Sequence, residues 1–80
     1  MGHKRPRPPI TAREIGAYLA GGRAAKACRY ALLTPVELER LAYDYAEEDS
    51  PIFHSMGPKS YCYWFNRGYC DNARLAHPCP

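Results

Sequence analysis

The chain has 80 residues, so it forms one domain whose core supplies only about 3 to 5 kcal/mol of net stability without a disulfide or a metal. Hydrophobic residues make up 46% of the sequence and charged residues 24%, which excludes a wholly disordered chain. No run approaches the roughly 18 apolar residues of a transmembrane helix. The N-terminal part also lacks the apolar segment of a signal peptide. We therefore expect a soluble, intracellular protein, located in the cytoplasm or, in a eukaryote, in the nucleus.

Charge is distributed unevenly, although the net charge is only +3. Residues 1–33 carry seven cations and one acid, whereas residues 34–50 carry one cation and six acids. Residues 51–80 are again basic, with three cations and one acid. The basic parts fit contact with nucleic acid, and the same pattern fits ion pairing within the chain or with a protein partner.

Residues 1–10 are interpreted as a flexible basic arm, because their three prolines exclude a helix or a central strand. A helical region follows at residues 11–50. Its sequences TARE, at 11–14, and TPVE, at 34–37, each place a threonine three residues before a glutamate. This is the spacing of a capping box, so both sequences predict helix N-termini.

Three short helices are predicted in the helical region. The first covers about residues 12–20 and ends at Gly21-Gly22, since glycine tolerates a left-handed turn. The second covers about residues 23–33, and the third extends from the TPVE box to about Glu48. Acidic residues at the end of the third helix oppose its dipole, so this end should fray or be neutralised by a basic group. The predicted core consists of Ile15, Leu19, Ala27, Ala31, Leu32, Leu38, Leu41 and Tyr45.

Residues 51–80 are predicted to form a loop and then an irregular tail, within one compact domain. Prolines and a glycine in DSPIFHSMGPKS indicate the loop. The tail contains three of the four cysteines, whose sulfurs could bind a metal, form disulfides or only pack. A reducing compartment favours the metal.

The string CYWFNRGYC, from Cys62 to Cys70, resembles the first half of a CCCH-type zinc finger, in which two cysteines bracket an aromatic residue, a basic residue and a glycine. Where that family has its third cysteine and its histidine, this chain has Ala76 and Pro80, with His77 and Cys79 beside them. We therefore predict a structural Zn²⁺, whose four protein ligands leave no open position for water or substrate. The predicted ligands are Cys62, Cys70, His77 and Cys79. Cys28 or His54 could replace one of them, and a disulfide is the alternative to the metal.

The resemblance implies binding of single-stranded RNA, because such fingers slip bases between exposed aromatic rings and basic side chains. The predicted function is thus that of a small nucleic-acid-binding zinc protein, with RNA favoured over DNA. Phe65 is expected to be internal. The candidate contacts in the tail are Tyr63, Trp64, Arg67, Tyr69, Arg74 and Lys59. The arm adds Lys4, Arg5 and Arg7.

Two other binding functions are compatible with the sequence. Residues 10–32 have the outline of a helix-turn-helix, in which Arg23, Lys26 and Arg29 would enter the major groove of DNA. Alternatively, the chain docks on a larger protein as an adaptor or inhibitor, with its tyrosine-rich tail as the contact. We predict no enzymatic activity and no small-molecule substrate, because the one chemically rich site is closed by its ligands. We also predict no membrane contact, because the sequence has no long apolar run.

Overall fold

The computed structural model describes residues 8–76, and residues 1–7 and 77–80 lie outside the described part. Within residues 8–76 the chain forms four helices and no strand. They are α1 (Ala12–Ala27), α2 (Pro35–Glu48), α3 (Ser50–Met56) and α4 (Pro58–Ala76). The predicted mostly helical class is confirmed, but the described chain has four helices rather than three. None of these four is long and apolar enough to cross a membrane.

Both predicted capping boxes are present. The hydroxyl oxygen of Thr11 accepts a hydrogen bond from the Glu14 main-chain N–H at 3.2 Å, and Glu14 accepts from the Thr11 N–H in return. Thr34 and Glu37 repeat the arrangement at the start of α2, with Pro35 at the first helical position. The hydrogen bond from the Thr34 N–H lowers the pKa of the Glu37 carboxyl below its ordinary value. Local chemistry alone therefore determines where α1 and α2 begin.

Residues 51–76 do not form the predicted loop and irregular zinc-held tail. Pro51 lies in the first turn of α3, and Pro58 is the first residue of α4. A proline at these positions costs no helical hydrogen bond, because the first N–H groups of a helix have no partner within it. Gly57, with a φ of 88°, separates the two helices. Both prolines therefore begin helices, and the irregular segment predicted from about residue 60 is wrong as far as residue 76.

α1 is one continuous helix through Gly21-Gly22, so the predicted break between two helices is wrong. The chain turns instead at Arg29 and Tyr30, whose φ angles are 54° and 60°. Such left-handed conformations are uncommon for residues other than glycine. The Tyr30 N–H donates to the Ala25 carbonyl oxygen at 2.7 Å, which satisfies one acceptor at the helix end.

Gly21 and Gly68 allow the main chains of α1 and α4 to come into direct contact. A Cβ atom built on Gly21 would overlap the carbonyl oxygen of Phe65. A Cβ atom built on Gly68 would overlap the carbonyl oxygen of Tyr18. No side chain fits at either position unless the helices move apart.

α1 and α4 run side by side in the same direction. Glu14 lies beside Trp64 in the N-terminal halves of the two helices, and Gly22 lies against Asn72 towards their C-terminal ends. Two parallel neighbours need a connection that returns along their whole length, and residues 28–57, with α2 and α3, provide it. These two helices also cover part of the α1–α4 pair.

The core lies between the aromatic face of α4 and small residues of α1. The predicted core residue Leu38 is buried, and Leu41 and Tyr45 pack against the core. The remaining five predicted residues are more exposed than expected, with Leu19 54% exposed, because α1 turns its alanines and Gly21 towards α4. Those five are Ile15, Leu19, Ala27, Ala31 and Leu32. The observed core consists of Ala17, Ala20, Ala24, Ala25, Leu38, Ala42, Ala46, Tyr61, Trp64, Phe65, Tyr69 and Ala73.

Gly21→Ala and Gly68→Ala should both destabilise the protein, because the added methyl group overlaps a main-chain oxygen of the facing helix. Overpacking of this kind costs about 1 to 3 kcal/mol or more. Gly22→Ala is the matched control, since its Cβ would meet only the side-chain amide of Asn72, at 3.0 Å. Urea denaturation measures the free energy of unfolding of each variant. Equal stability of Gly21→Ala and Gly22→Ala would contradict the close helix contact.

Candidate functional site on the outer face of α4

One face of α4 collects most of the predicted binding residues of the tail. Positions 59, 63, 67, 70 and 74 are three or four residues apart, so they follow one side of a helix with 3.6 residues per turn. We call this face the outer stripe. It consists of Lys59, Tyr63, Arg67, Cys70 and Arg74. Lys59 and Arg74 are exposed at its two ends, about 22 Å apart along the axis.

Tyr63 and Arg67 form an aromatic and cationic pair in the middle of the stripe. The Tyr63 ring is 50% exposed and meets the Trp64 ring edge to face, with 5.0 Å between ring centroids. The guanidinium carbon of Arg67 lies 4.9 Å from the Trp64 ring centroid and 5.8 Å from that of Tyr63. Both distances are within the range of cation–π attraction. The pair places an exposed tyrosine beside a cation.

A cavity of about 450 Å³ adjoins this pair and is lined by Tyr63, Asn66, Arg67, Cys70, Asp71 and Arg74. Asp71 Oδ2 accepts a hydrogen bond from the Tyr18 hydroxyl at 2.6 Å, and this bond raises the pKa of Tyr18. The buried Asn66 carbonyl oxygen has no donor within residues 8–76. The cavity thus combines a ring, two guanidinium groups, an amide and a carboxylate.

Two predicted contacts, Trp64 and Tyr69, are not available to a ligand. Trp64 is 3% exposed and Tyr69 is 1% exposed, because both lie on the core side of α4. The Tyr69 hydroxyl donates to the Ala31 carbonyl oxygen at 2.6 Å, and burial raises the pKa of Tyr69 to about 12. Phe65 is buried, as predicted. The assignment of Trp64 and Tyr69 as base-stacking residues is therefore wrong.

The predicted zinc ligands do not fit a single ion in this structure. Cys62 and Cys70 are eight residues apart on α4, which separates them by about 12 Å along the axis. Two thiolates bound to one Zn²⁺ at about 2.3 Å lie less than about 5 Å apart. Burial also raises the pKa of the Cys62 thiol, which disfavours the thiolate that a metal requires. His77 and Cys79 lie outside the described residues.

Other zinc arrangements are not found among residues 8–76, which contain no group of three potential ligands. Cys28 caps the C-terminal end of α1, and His54 is exposed on α3. The described cysteines, Cys28, Cys62 and Cys70, form no disulfide. Zinc binding by the chain and its ligand set stay predictions, and in this structure α4 holds Cys62 and Cys70 too far apart to share one ion.

The other predicted cations are placed as follows. Lys4, Arg5 and Arg7 lie outside the described residues. Arg23 lies on α1 within 3.8 Å of Asp49. Because α1 has no turn at its glycines, the helix-turn-helix hypothesis loses the geometry on which it depends.

Asn66 and Asp71 were not among the predicted site residues. The same helical period that aligns the outer stripe places both beside it, so a helix prediction for residues 58–76 would have identified them. No protein-family model, curated protein or solved structure matches the chain. The site is therefore defined by its side chains and their geometry.

Tyr69→Phe should change how stability depends on pH. The folded state holds the Tyr69 proton more tightly than the unfolded chain does, so the protonated hydroxyl contributes to the free energy of unfolding. This contribution is complete below about pH 10 and is lost as pH rises towards about 12. The variant lacks the hydroxyl and loses about 1 kcal/mol at neutral pH, but its free energy of unfolding should fall less in the alkaline range. Tyr61 and Tyr18, whose pKa values are also raised, cause the remaining decline. If the free energy of unfolding fell with pH in the same way for both proteins, the Tyr69 hydroxyl would not be buried as described.

Chelation of metal should leave α4 helical, because its aromatic face is held by packing against α1. Far-UV circular dichroism before and after treatment with a chelator measures this. Native mass spectrometry of the same samples tests the zinc prediction, which requires a mass shift of one zinc per chain. A loss of helical signal on chelation would show that α4 depends on a metal and would contradict the packing account.

Proposed function

We propose that this protein binds single-stranded nucleic acid, RNA in preference to DNA, along the outer stripe of α4. The observation that carries the proposal is the half-exposed ring of Tyr63, flanked by Arg67 and aligned with Lys59 and Arg74. An exposed ring beside cations lets a base stack while the neighbouring phosphates are neutralised. This is a binding function, and no catalytic step is assigned to the site.

The residues of the stripe have separate roles in this proposal. A base stacks on Tyr63, and Arg67, which already lies over the Trp64 ring, extends the stacking surface. Lys59 and Arg74 contact phosphates on either side of the stacked base. Two phosphate contacts on a single strand correspond to a slope of about −1.4 in a plot of log affinity against log salt concentration.

The preference for RNA depends on the cavity beside the ring. The Asp71 carboxylate accepts one hydrogen bond, from Tyr18, and can accept more. A ribose 2′-hydroxyl can donate to it, whereas deoxyribose has no such group. The likeness to a zinc finger does not support the proposal, because CYWFNRGYC lies within α4 rather than in a metal-bound loop.

Tyr63→Leu should weaken binding of a labelled single-stranded RNA pool, roughly 12 nucleotides long, by about 1 to 3 kcal/mol, because leucine cannot stack on a base. Tyr63→Phe keeps the ring and should bind nearly as the unchanged protein does. Fluorescence anisotropy gives both affinities, and the same pool made as DNA should bind more weakly.

Arg74→Gln should weaken RNA binding and reduce the salt slope by about 0.7, because one phosphate contact is lost. Arg40→Gln is the matched control, since Arg40 is exposed on α2 and outside the outer stripe. The proposal is wrong if no RNA binds at about 50 mM salt, or if Tyr63→Leu and Tyr63→Phe bind alike.

A further inference from the structure

A second cavity, of about 430 Å³, lies between α2 and α3 and is lined by Tyr43, Ala46, Glu47, Ser50, Phe53 and His54. We call it the acidic cavity. The rings of Tyr43 and Phe53 meet edge to face, with 6.0 Å between centroids. None of the six described residues that line it is a lysine or an arginine. Aromatic walls beside a carboxylate are the surroundings that a cation prefers.

Within residues 8–76 no ion pair is described for the acidic residues around the cavity, and its one basic lining residue is His54. Asp44, Glu47 and Glu48 are exposed near the C-terminal end of α2, where the helix dipole is also negative and the last turn has no basic residue. Fraying does not relieve this charge, since α3 begins directly after Asp49. The neighbouring Asp49 does have described partners, the Tyr61 hydroxyl at 3.1 Å and Arg23 at 3.8 Å.

We propose that the acidic cavity binds an arginine side chain presented by a basic segment of a partner protein. A planar guanidinium can stack on the ring of Tyr43, beside Phe53, while it pairs with the Glu47 carboxylate. Asp44 and Glu48 extend the negative surface along α2 beyond the cavity, which suits a segment with several cations rather than a single small amine. Nucleic acid is disfavoured here, since its phosphates would face these carboxylates. The site is therefore independent of the outer stripe of α4.

The test uses the full chain and a fluorescein-labelled peptide in which two arginines alternate with glycine and serine. The control peptide contains citrulline, which has nearly the shape of arginine but no charge. We expect the arginine peptide to bind at least about tenfold more tightly, since loss of the charge removes both the ion pair and the cation–π contact. Equal binding of the two peptides would overturn the proposal.

Variants of the protein distinguish the cavity from general charge attraction. Glu47→Gln and Tyr43→Leu should each weaken arginine-peptide binding several-fold, while Tyr43→Phe retains it because the ring remains. Glu39→Gln is the matched charge control, because Glu39 is exposed on α2 but does not line the cavity. If Glu39→Gln weakens binding as much as Glu47→Gln, the attraction is non-specific and the proposed site is wrong. Tyr43, Glu47 and Glu39 are all exposed, so these variants should fold, which circular dichroism verifies.

Discussion

The direct contact between the main chains of α1 and α4, at Gly21 and Gly68, is the constraint on which the rest of the structure depends. It brings the helix axes closer than ordinary side chains allow, and it fixes the rotation of α4 about its own axis. One face of α4 then carries Tyr61, Phe65 and Tyr69 into the core. The opposite face is left to solvent, which is why lysine, arginine and a half-exposed tyrosine line up along it.

The rotation of α4 about its axis also gives residues that are adjacent in sequence different exposure to solvent. Tyr63 and Trp64 are adjacent, yet one ring is half-exposed and the other is buried. The buried Trp64 ring still contributes to the surface indirectly, because the Arg67 guanidinium lies over it and is oriented by it. A cation that is already positioned loses less conformational entropy on binding than a freely rotating one.

The parts of the fold that depend on local chemistry could be predicted from the sequence. The Thr11 and Thr34 capping boxes mark true helix starts, since the hydrogen bonds involve residues three apart. Gly21 could not be interpreted in this way, because its role depends on Phe65, which is distant in sequence. Ile15 and Leu19, the larger apolar residues of α1, were expected in the core because the sequence does not show the close contact with α4. That contact accepts only small residues on the buried face of α1.

The tail shows how a motif can mislead when its helical period is not considered. CYWFNRGYC has the cysteine, aromatic and glycine content of a zinc finger, but the aromatic residues Tyr61, Phe65 and Tyr69, the first of which directly precedes this string, recur every four positions. That period fits an amphipathic helix, whose buried face then explains the aromatic residues without a metal. Tyr63, Arg67, Arg74 and Lys59 of the predicted site lie together on the outer stripe of this helix, although the helix itself was not predicted.

The parallel arrangement of α1 and α4 has a consequence for folding kinetics. Gly21 and Phe65 can meet only after the whole intervening chain has formed a closed loop, and the entropic cost of closing a loop rises with its length. Contacts of such long sequence separation slow folding relative to a bundle of antiparallel neighbours joined by short turns. During synthesis on the ribosome, α1 therefore emerges well before α4 and stays without its main packing surface until α4 has left the exit tunnel.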